Sequence, residues 1–386
     1  MPNPQEVATL VVASHRFDDW TDVWVQQRHM EDSTLFRFTA VERDNTPKSW
    51  ELLQFKPQDE CAVYLGGQLG VAGVITTRQT AYDANNHGVI LSGRGASWLA
   101  ARGSIVDKDG NYDNKPFEQI AREVCKPFGT VVKKVGELDA TPFERCQKEP
   151  TDTVWTFLER IARPLGIIMG SDHRGAILLI GKHAAKSVAG LVEGQNILRC
   201  QCIITIEEAR SDFIVRSQGA QTDGNLQTSE LEAKVKGALK RYSPLLVFSE
   251  HPAWSQADVQ KRAANEARWG DGTMVTATIT VQGWLREGRV LWQAGDYVHI
   301  KSPMAMLDQE MGCKTVTFTQ NQSGTTTTLE LVLPWMMGAA SDFNVNKPGV
   351  PPDPASRPPG PVAPPASTTN APPAESLPPP RSTGSA

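Results

Sequence analysis

The sequence predicts an α+β fold that is mostly β. Three observations carry this: two separated regions of short strands, a stretch between them with helical periodicity, and a C-terminal segment dominated by proline. At 386 residues the chain is long enough for two or three domains of ordinary size. With 40% hydrophobic and 21% charged residues, most of it can bury a core. No run approaches the roughly 20 apolar residues that span a bilayer, so a soluble protein is expected. The N-terminus, MPNPQEVATLVVASHRFDD, has no basic leader and its apolar stretch is broken by Thr9, so cytoplasmic synthesis and residence are expected.

Strands are predicted at TDVWVQQ, STLFRFTAVE, CAVYLGG, GVAGVITTRQTAYD and HGVILSGRG, separated by glycine, Asn-Asn-His-Gly and Pro-Gln-Asp turn signals. Short strands at this spacing fit a barrel or a sandwich. Residues 104 to about 190 change character. PFEQIAREVCKPFG and EPTDTVWTFLERIARPLG carry apolar residues at i, i+3, i+4 spacing, with Thr151 or Asp152 as N-cap of the second and a glycine ending each. Each helix is followed by strand signals, TVVKKV and then the hairpin GIIMGSDHRGAILLIG, so a small α+β unit is expected. From about residue 191 to 340 strands return, with a helical interruption near 254–270. Residues 341–386 are the tail. The segment from Lys347 holds 14 of the 27 prolines and almost no large apolar side chains, which predicts an extended, disordered segment.

The two strand regions share an order of elements. Lys56 to Gly93 and Trp292 to Pro334 both run turn, acidic residue, a V-x-[LI] strand, a linker, a glycine before a Val/Thr-rich strand, a polar turn and a final alternating strand. An internal duplication accounts for this; so does the general likeness of antiparallel meanders. Two similar β units per chain would allow a trimer to present sixfold pseudo-symmetry.

Catalytic constellations do not emerge. The net charge of −4 and pI near 6.0 argue against a nucleic-acid binder, which needs a basic face. SGRGASW resembles the start of GxGxxG, but Trp98 takes the third glycine's place and no βαβ context surrounds it, so a turn is the better reading. The six cysteines have no repeated CxxC spacing and read as buried free thiols. Cys200 and Cys202 share one face of a strand with Leu198 and Ile204, which favours small buried hydrophobes over a metal site. The seven histidines are scattered singly. Asp18-Asp19 and Glu207-Glu208 are adjacent, so in a strand their carboxylates diverge, and they read as solvated charge.

GWLREGRVLW, Gly283 to Trp292, puts two of ten tryptophans at the ends of a short polar loop. In the preceding strand Val275, Ala277, Ile279 and Val281 share one face, with Thr276, Thr278, Thr280 and Gln282 on the other. Parity puts Trp284 with the threonines, as an interface anchor, unless Gly283 bulges and turns it inward. Both readings stand.

The run from Tyr242 to Ile300, with its Arg262-Ala263, Glu266 and V-x-G-W features, resembles the baseplate hub proteins of contractile-tailed phages, in particular the Mu-type tail protein P family. VAGVITTRQTAYDANNHGVILSGRGASWLA, PFEQIAREVCKPFG and PTDTVWTFLERIARPLGIIM agree in the same order, so the likeness covers most of residues 20–335. One departure is Gly95, where relatives often carry an acidic residue after Gly-Arg. The resemblance implies two tube-like antiparallel β-barrel domains (1–103 and 191–340), the α+β domain between them (104–190) and the tail outside the likeness. It implies a homotrimer forming a pseudo-hexameric ring that joins the tail tube, or a tube-terminating protein, to a central spike beside other baseplate proteins. DNA would pass through the lumen without specific binding. No catalytic residue, metal or cofactor is expected, and the location implied is the virion tail baseplate after assembly in the host cytoplasm. Candidate assembly or structural residues are Gly93, Arg94, Gly283, Trp284 and Trp292. The hub of a type VI-like injection machine, a tail-associated cell-wall hydrolase and a glycan-binding β protein are the competing readings.

Overall fold

The computed structural model describes residues 6–42, 54–82, 87–107, 110–184, 186–218, 230–248 and 256–339. The proline-rich tail lies outside the described residues. The N-terminal region forms β1 (Ala8–Val12), β2 (His15–Phe17), β3 (Asp22–Arg28), β4 (Leu35–Glu42), β5 (Glu60–Leu65), β6 (Gln68–Tyr82) and β7 (His87–Gly95). The last five are the strands expected from alternation. β1 was not legible that way because four of its five residues are buried, leaving no polar face to mark the period.

A short helix, α1 (Ser97–Arg102), leads into the middle unit: β8 (Lys115–Pro116), α2 (Phe117–Cys125), β9 (Val132–Val135), β10 (Pro142–Phe143), α3 (Val154–Leu165), β11 (Ile168–Ser171) and β12 (Ile177–Ile180). α2 buries Phe117, Ile120, Ala121 and Val124, and α3 buries Val154, Phe157, Leu158 and Ile161, each set forming one helical stripe. The stripes meet Ile177 and Leu179 of β12 in a core of their own. The N-cap of α3 falls later than either residue expected. Thr153 Oγ1 accepts from the Thr156 amide at 3.2 Å, while the Thr153 amide donates to Thr156 Oγ1 at 2.9 Å. Asp152 instead accepts from the Glu149 amide and pairs with Arg160.

The C-terminal region supplies β13 (Ser187–Val192), β14 (Arg199–Ile204), β15 (Asp212–Gln218), β16 (Glu230–Lys236), β17 (Pro244–Phe248), α4 (Gln256–Gly272), β18 (Val275–Gln282), β19 (Leu285–Arg286), β20 (Val290–Leu291), β21 (Tyr297–Ser302), β22 (Leu307–Asn321) and β23 (Gly324–Val332). The strand at DFIVRSQG does not join the large sheet. It is β15, paired with β16 and β17 in a three-stranded sheet that packs on α4 through Val215, Ala233, Val259 and Ala263.

The remaining long strands form one sheet, in the order β14-β18-β23-β22-β3-β4-β7-β6-β5-β1-β2, with β21 and then β13 branching from β22. Both regions therefore contribute to a single path, and neither set of strands closes on itself among the described residues. They also share one core, in which Phe36, Phe38 and Leu91 pack in the same cluster as Ile279, Phe318 and Leu329.

Candidate assembly site

The two meanders β5-β6-β7 and β21-β22-β23 share their entry turn and their central bulge, while β5–β6 has a further register shift at Val63/Tyr64 that β21–β22 lacks. Both middle strands are 15 residues long. Each has a register shift halfway, between Ile75 and Thr77 in β6 and between Cys313 and Thr315 in β22. Such a bulge bends a strand, so that its two halves serve different neighbours. Before β5, the Lys56 amide donates to Asp59 Oδ2 (2.7 Å), Gln58 to Ile75 O (2.8 Å) and Ile75 to Asp59 O (3.0 Å). Before β21, the Gln293 amide donates to Asp296 Oδ2 (3.2 Å), Gly295 to Cys313 O (2.9 Å) and Cys313 to Asp296 O (2.8 Å). Even the positive backbone φ recurs, 86° at Gln58 and 101° at Gly295. The internal duplication is thus present in the backbone.

The repeats join where β22 meets β3, pairing antiparallel from Thr315↔Arg28 to Gln320↔Val23. Val23, Val25 and Gln27 of β3 are buried along this seam, as are Val316 and Phe318 of β22. Side chains from the first region then latch onto main-chain amides of the second. Gln27 Oε1 accepts from Ala294 (3.2 Å) while its Nε2 donates to Gly70 O (2.9 Å). Gln68 Oε1 accepts from Leu291 (3.1 Å), and its Nε2 donates to Arg289 O (2.7 Å).

The third latch is Glu6, buried beside the loop that carries the two tryptophans. Its Oε1 accepts from the Trp284 amide at 2.7 Å and its Oε2 from the Thr325 hydroxyl at 2.6 Å. Gly283 sits at φ +75°, a conformation that favours glycine, and a Cβ there would lie 2.5 Å from Glu6 Oε1 and displace the carboxylate. This left-handed residue reverses the parity of the strand. Trp284 turns inward, fully buried, and its indole Nε1 donates to Thr319 O at 3.2 Å. Trp292 is buried as well, and its amide closes the loop on Trp284 O at 3.3 Å. Of the two readings left open by sequence, the core one holds: neither tryptophan offers a surface.

The other candidate residues lie elsewhere. Gly93 is in β7, where a Cβ would meet the Phe36 ring at 2.1 Å. Arg94, next to it, points its guanidinium at the Trp98 ring (5.6 Å to the centroid), which Arg102 approaches from 4.5 Å. These two are not brought near Gly283, Trp284 and Trp292. Gly95 takes a main-chain role, donating to Thr34 O at 2.8 Å.

Burial of all six thiols was expected, and four obey: Cys61, Cys125, Cys146 and Cys313. Burial pushes Cys61 and Cys125 up to about 12, which removes them as nucleophiles at neutral pH. Cys200 is exposed and Cys202 half-buried, and the neighbouring Leu198 and Ile204 are both exposed. The expectation failed because it took β14 as interior. It is the end strand of the sheet, with β18 on one side and no described strand on the other. Leu198, Ile203 and Ile206 are 58%, 53% and 62% exposed around it. No Lys or Pro guards this edge, although natural sheets commonly blunt exposed edges that way. The surface that sequence reasoning missed is therefore this one, with Leu198, Cys200, Cys202 and Ile204 on one face and Arg199 and Gln201 on the other.

The seam also buries His29, whose pKa burial, helped by nearby His183, pushes down to about 4. His183 in turn contacts Tyr297 Oη at 3.0 Å, linking the middle unit to β21. Asp18, Asp19, Glu207 and Glu208 are exposed. Among the described residues no cluster of three or more His, Cys, Asp or Glu side chains could hold a metal.

Comparison with known proteins gives this architecture a class. Residues 101–181 match the family model described as the second domain of gp44-like baseplate hub proteins. Over most of its length the chain is also similar to a phage baseplate hub protein. In particular, it is 25% identical over 334 residues to baseplate hub protein gp44 of Escherichia phage Mu, covering 84% of this chain and 86% of that one. Its fold is similar to the 43 kDa tail protein of prophage MuSo2 from Shewanella oneidensis, with a TM-score of 0.74, 23% identity and coverage of 86% of this chain and 99% of that one. A tail protein from Neisseria meningitidis MC58 gives a TM-score of 0.73 at 20% identity, covering 86% of this chain and 98% of that one.

Proposed function

We propose that the protein is the structural hub of a contractile-tail baseplate, three copies forming a pseudo-hexameric ring between the tail tube and the central spike. The observation that carries the reading is the duplication. Two meanders with the same hydrogen-bond frame occupy adjacent, near-equivalent places in one sheet, so three chains supply six such units around a threefold axis. In the ring the open sheet of each chain continues into the next, and the tube-like barrels belong to the assembly. The strands of residues 1–103 and 191–340 would form its wall, with residues 104–190 as a separate domain against other baseplate proteins.

DNA would pass through the lumen without specific binding. Supporting this is the polar face of the second repeat, where Thr280 meets Thr328 (3.2 Å) and Thr319 meets Thr326 (2.8 Å) in hydroxyl pairs, while Arg199 opposite Thr280 and Glu330 beside Thr328 put charges of both signs on that face and no basic stripe. The work is assembly in the host cytoplasm and symmetry matching in the virion tail, with no cofactor and no catalysis. Native mass measurement over a concentration series tests the ring. A trimer is the expected species, and a strict monomer at the highest concentration would overturn the reading.

A further inference from the structure

The in-chain seam specifies how one copy meets the next. The strand that plays β3's part in the second repeat follows from the ladders. Ser92 and Glu330 are equivalent across the two bulges, so their partners Arg37 and Thr278 are equivalent, and so are Trp24 and Gln201 opposite those. β14 is thus the counterpart of β3, with Cys200 at the place of Val23, Cys202 at that of Val25 and Ile204 at that of Gln27. The three β3 residues are buried, with β22 paired beside them; the three β14 residues are exposed or half-exposed at an edge with no described strand beside it.

The strand that plays β22's part in the first repeat is β6, with Thr80 at the place of Phe318. There β6 is bonded to β7 and to no other described strand, and residues 77–82 are all exposed. One molecule therefore carries both halves of a second seam, and they cannot meet within it, because β14 ends one side of the path and β6 lies beyond β3, β4 and β7.

Resting on the ring reading, we infer that β14 of one copy adds as an antiparallel strand to the second half of β6 of the next copy, in the register of the in-chain seam. Phe318↔Val25 becomes Thr80↔Cys202, and Thr319↔Trp24 becomes Ala81↔Gln201. Strand addition satisfies the edge amides and carbonyls of β14 and covers its apolar side chains. The contact is head-to-tail, each copy giving one strand and receiving another, so it repeats until the ring closes. Its acceptor side is more polar than the in-chain version, with Thr80 in place of Phe318. A surface that waits in solution before assembly benefits from this, whereas a seam formed during folding has no such need.

The register is tested by disulfide trapping in the full-length chain. In a Cys200→Ser background, Thr80→Cys puts a thiol directly opposite native Cys202, at the roughly 5.5 Å Cα separation a disulfide accepts. Mild oxidation should drive the monomer band on a non-reducing gel into bands at two and three chain masses, restored by reductant. Ala81→Cys in the same background puts the thiol on the opposite face of the sheet and should leave the monomer band intact. Both substitutions are at exposed positions, and thermal melting at the parental temperature checks the fold. A trimer by native mass in which Thr80→Cys fails to link, or Ala81→Cys links equally well, would overturn the register and leave the ring standing. A monomer by native mass would overturn both.

Discussion

The two repeats have nearly the same backbone and different side chains, and the difference tracks what covers each strand. Asp59 and Asp296 hold the same turn, and the two 15-residue strands bend at the same bulge. Yet β3 carries Val23, Val25 and Gln27, buried beside β22, where β14 carries Cys200, Cys202 and Ile204 at an open edge. Backbone geometry in a meander is set by turns, bulges and hydrogen-bond register. Side-chain identity at one position differs with whether a described strand of this chain lies beside it.

If the seam and its latches are what hold the repeats together, breaking them should cost stability in proportion to burial. The largest effect is expected from Trp284→Ala. Emptying a fully buried indole site should cost about 3–5 kcal/mol, read as a lower denaturation midpoint. Trp284 lies in the core and not at an interface, so the surviving folded fraction should assemble as the parent does. Selective loss of the trimer at unchanged monomer stability would contradict the burial.

Acid should act next. His29 stays neutral in the fold down to about pH 4 because it is buried beside His183, whereas an unfolded histidine takes up its proton near 6.5. Its contribution is therefore fully present above about pH 6.5 and is lost as pH falls toward 4, worth about 3 kcal/mol at the low end. Stability measured against pH for the parent and His29→Asn should differ by a constant amount above about pH 6.5, with the parent losing about 3 kcal/mol relative to the variant between 6.5 and 4. Curves that stay parallel between pH 6.5 and 4 would mean that the seam is not the acid-sensitive part.

Glu6→Ala comes third. It leaves the Trp284 amide and the Thr325 hydroxyl without their acceptor, for about 2 kcal/mol. Glu6→Gln, which keeps an acceptor oxygen and the shape, should recover part of that in the same denaturation assay.

How much of this was legible beforehand depended on periodicity. Strands with one solvated face, such as β18 with its alternating Val, Ala, Ile and threonines, announced themselves, as did the amphipathic stripes of α2 and α3. The duplication was visible as an order of turns. β1 escaped because it is buried on both faces, Thr9 included, and the small sheet of β15–β17 escaped because pairing partners leave no local trace. Trp284 was undecidable by parity alone, since the answer depended on Glu6, a residue 278 positions away, filling the space that a Cβ on Gly283 would need. Cys200 and Cys202 were placed on the right face and given the wrong burial, because a strand's period does not reveal whether it ends its sheet.

The smallest effects sharpen the comparison most, because they exchange residues between equivalent positions. Gln58 and Gly295 occupy the same turn in the two repeats, both with positive φ. The Gln58 side chain points to solvent, whereas a Cβ at Gly295 would lie 2.8 Å from the His29 ring. Gly295→Ala should therefore cost about 1–2 kcal/mol, the left-handed penalty plus a displaced imidazole. Gln58→Gly relieves the same backbone penalty but loosens the unfolded chain, so it should move stability by less than about 1 kcal/mol. The two turns then differ only in what stands over them. Equal costs for Gly295→Ala in the parent and in a His29→Ala background would show that the imidazole does not set the difference. The two repeats would then be distinguished at this turn by backbone strain alone.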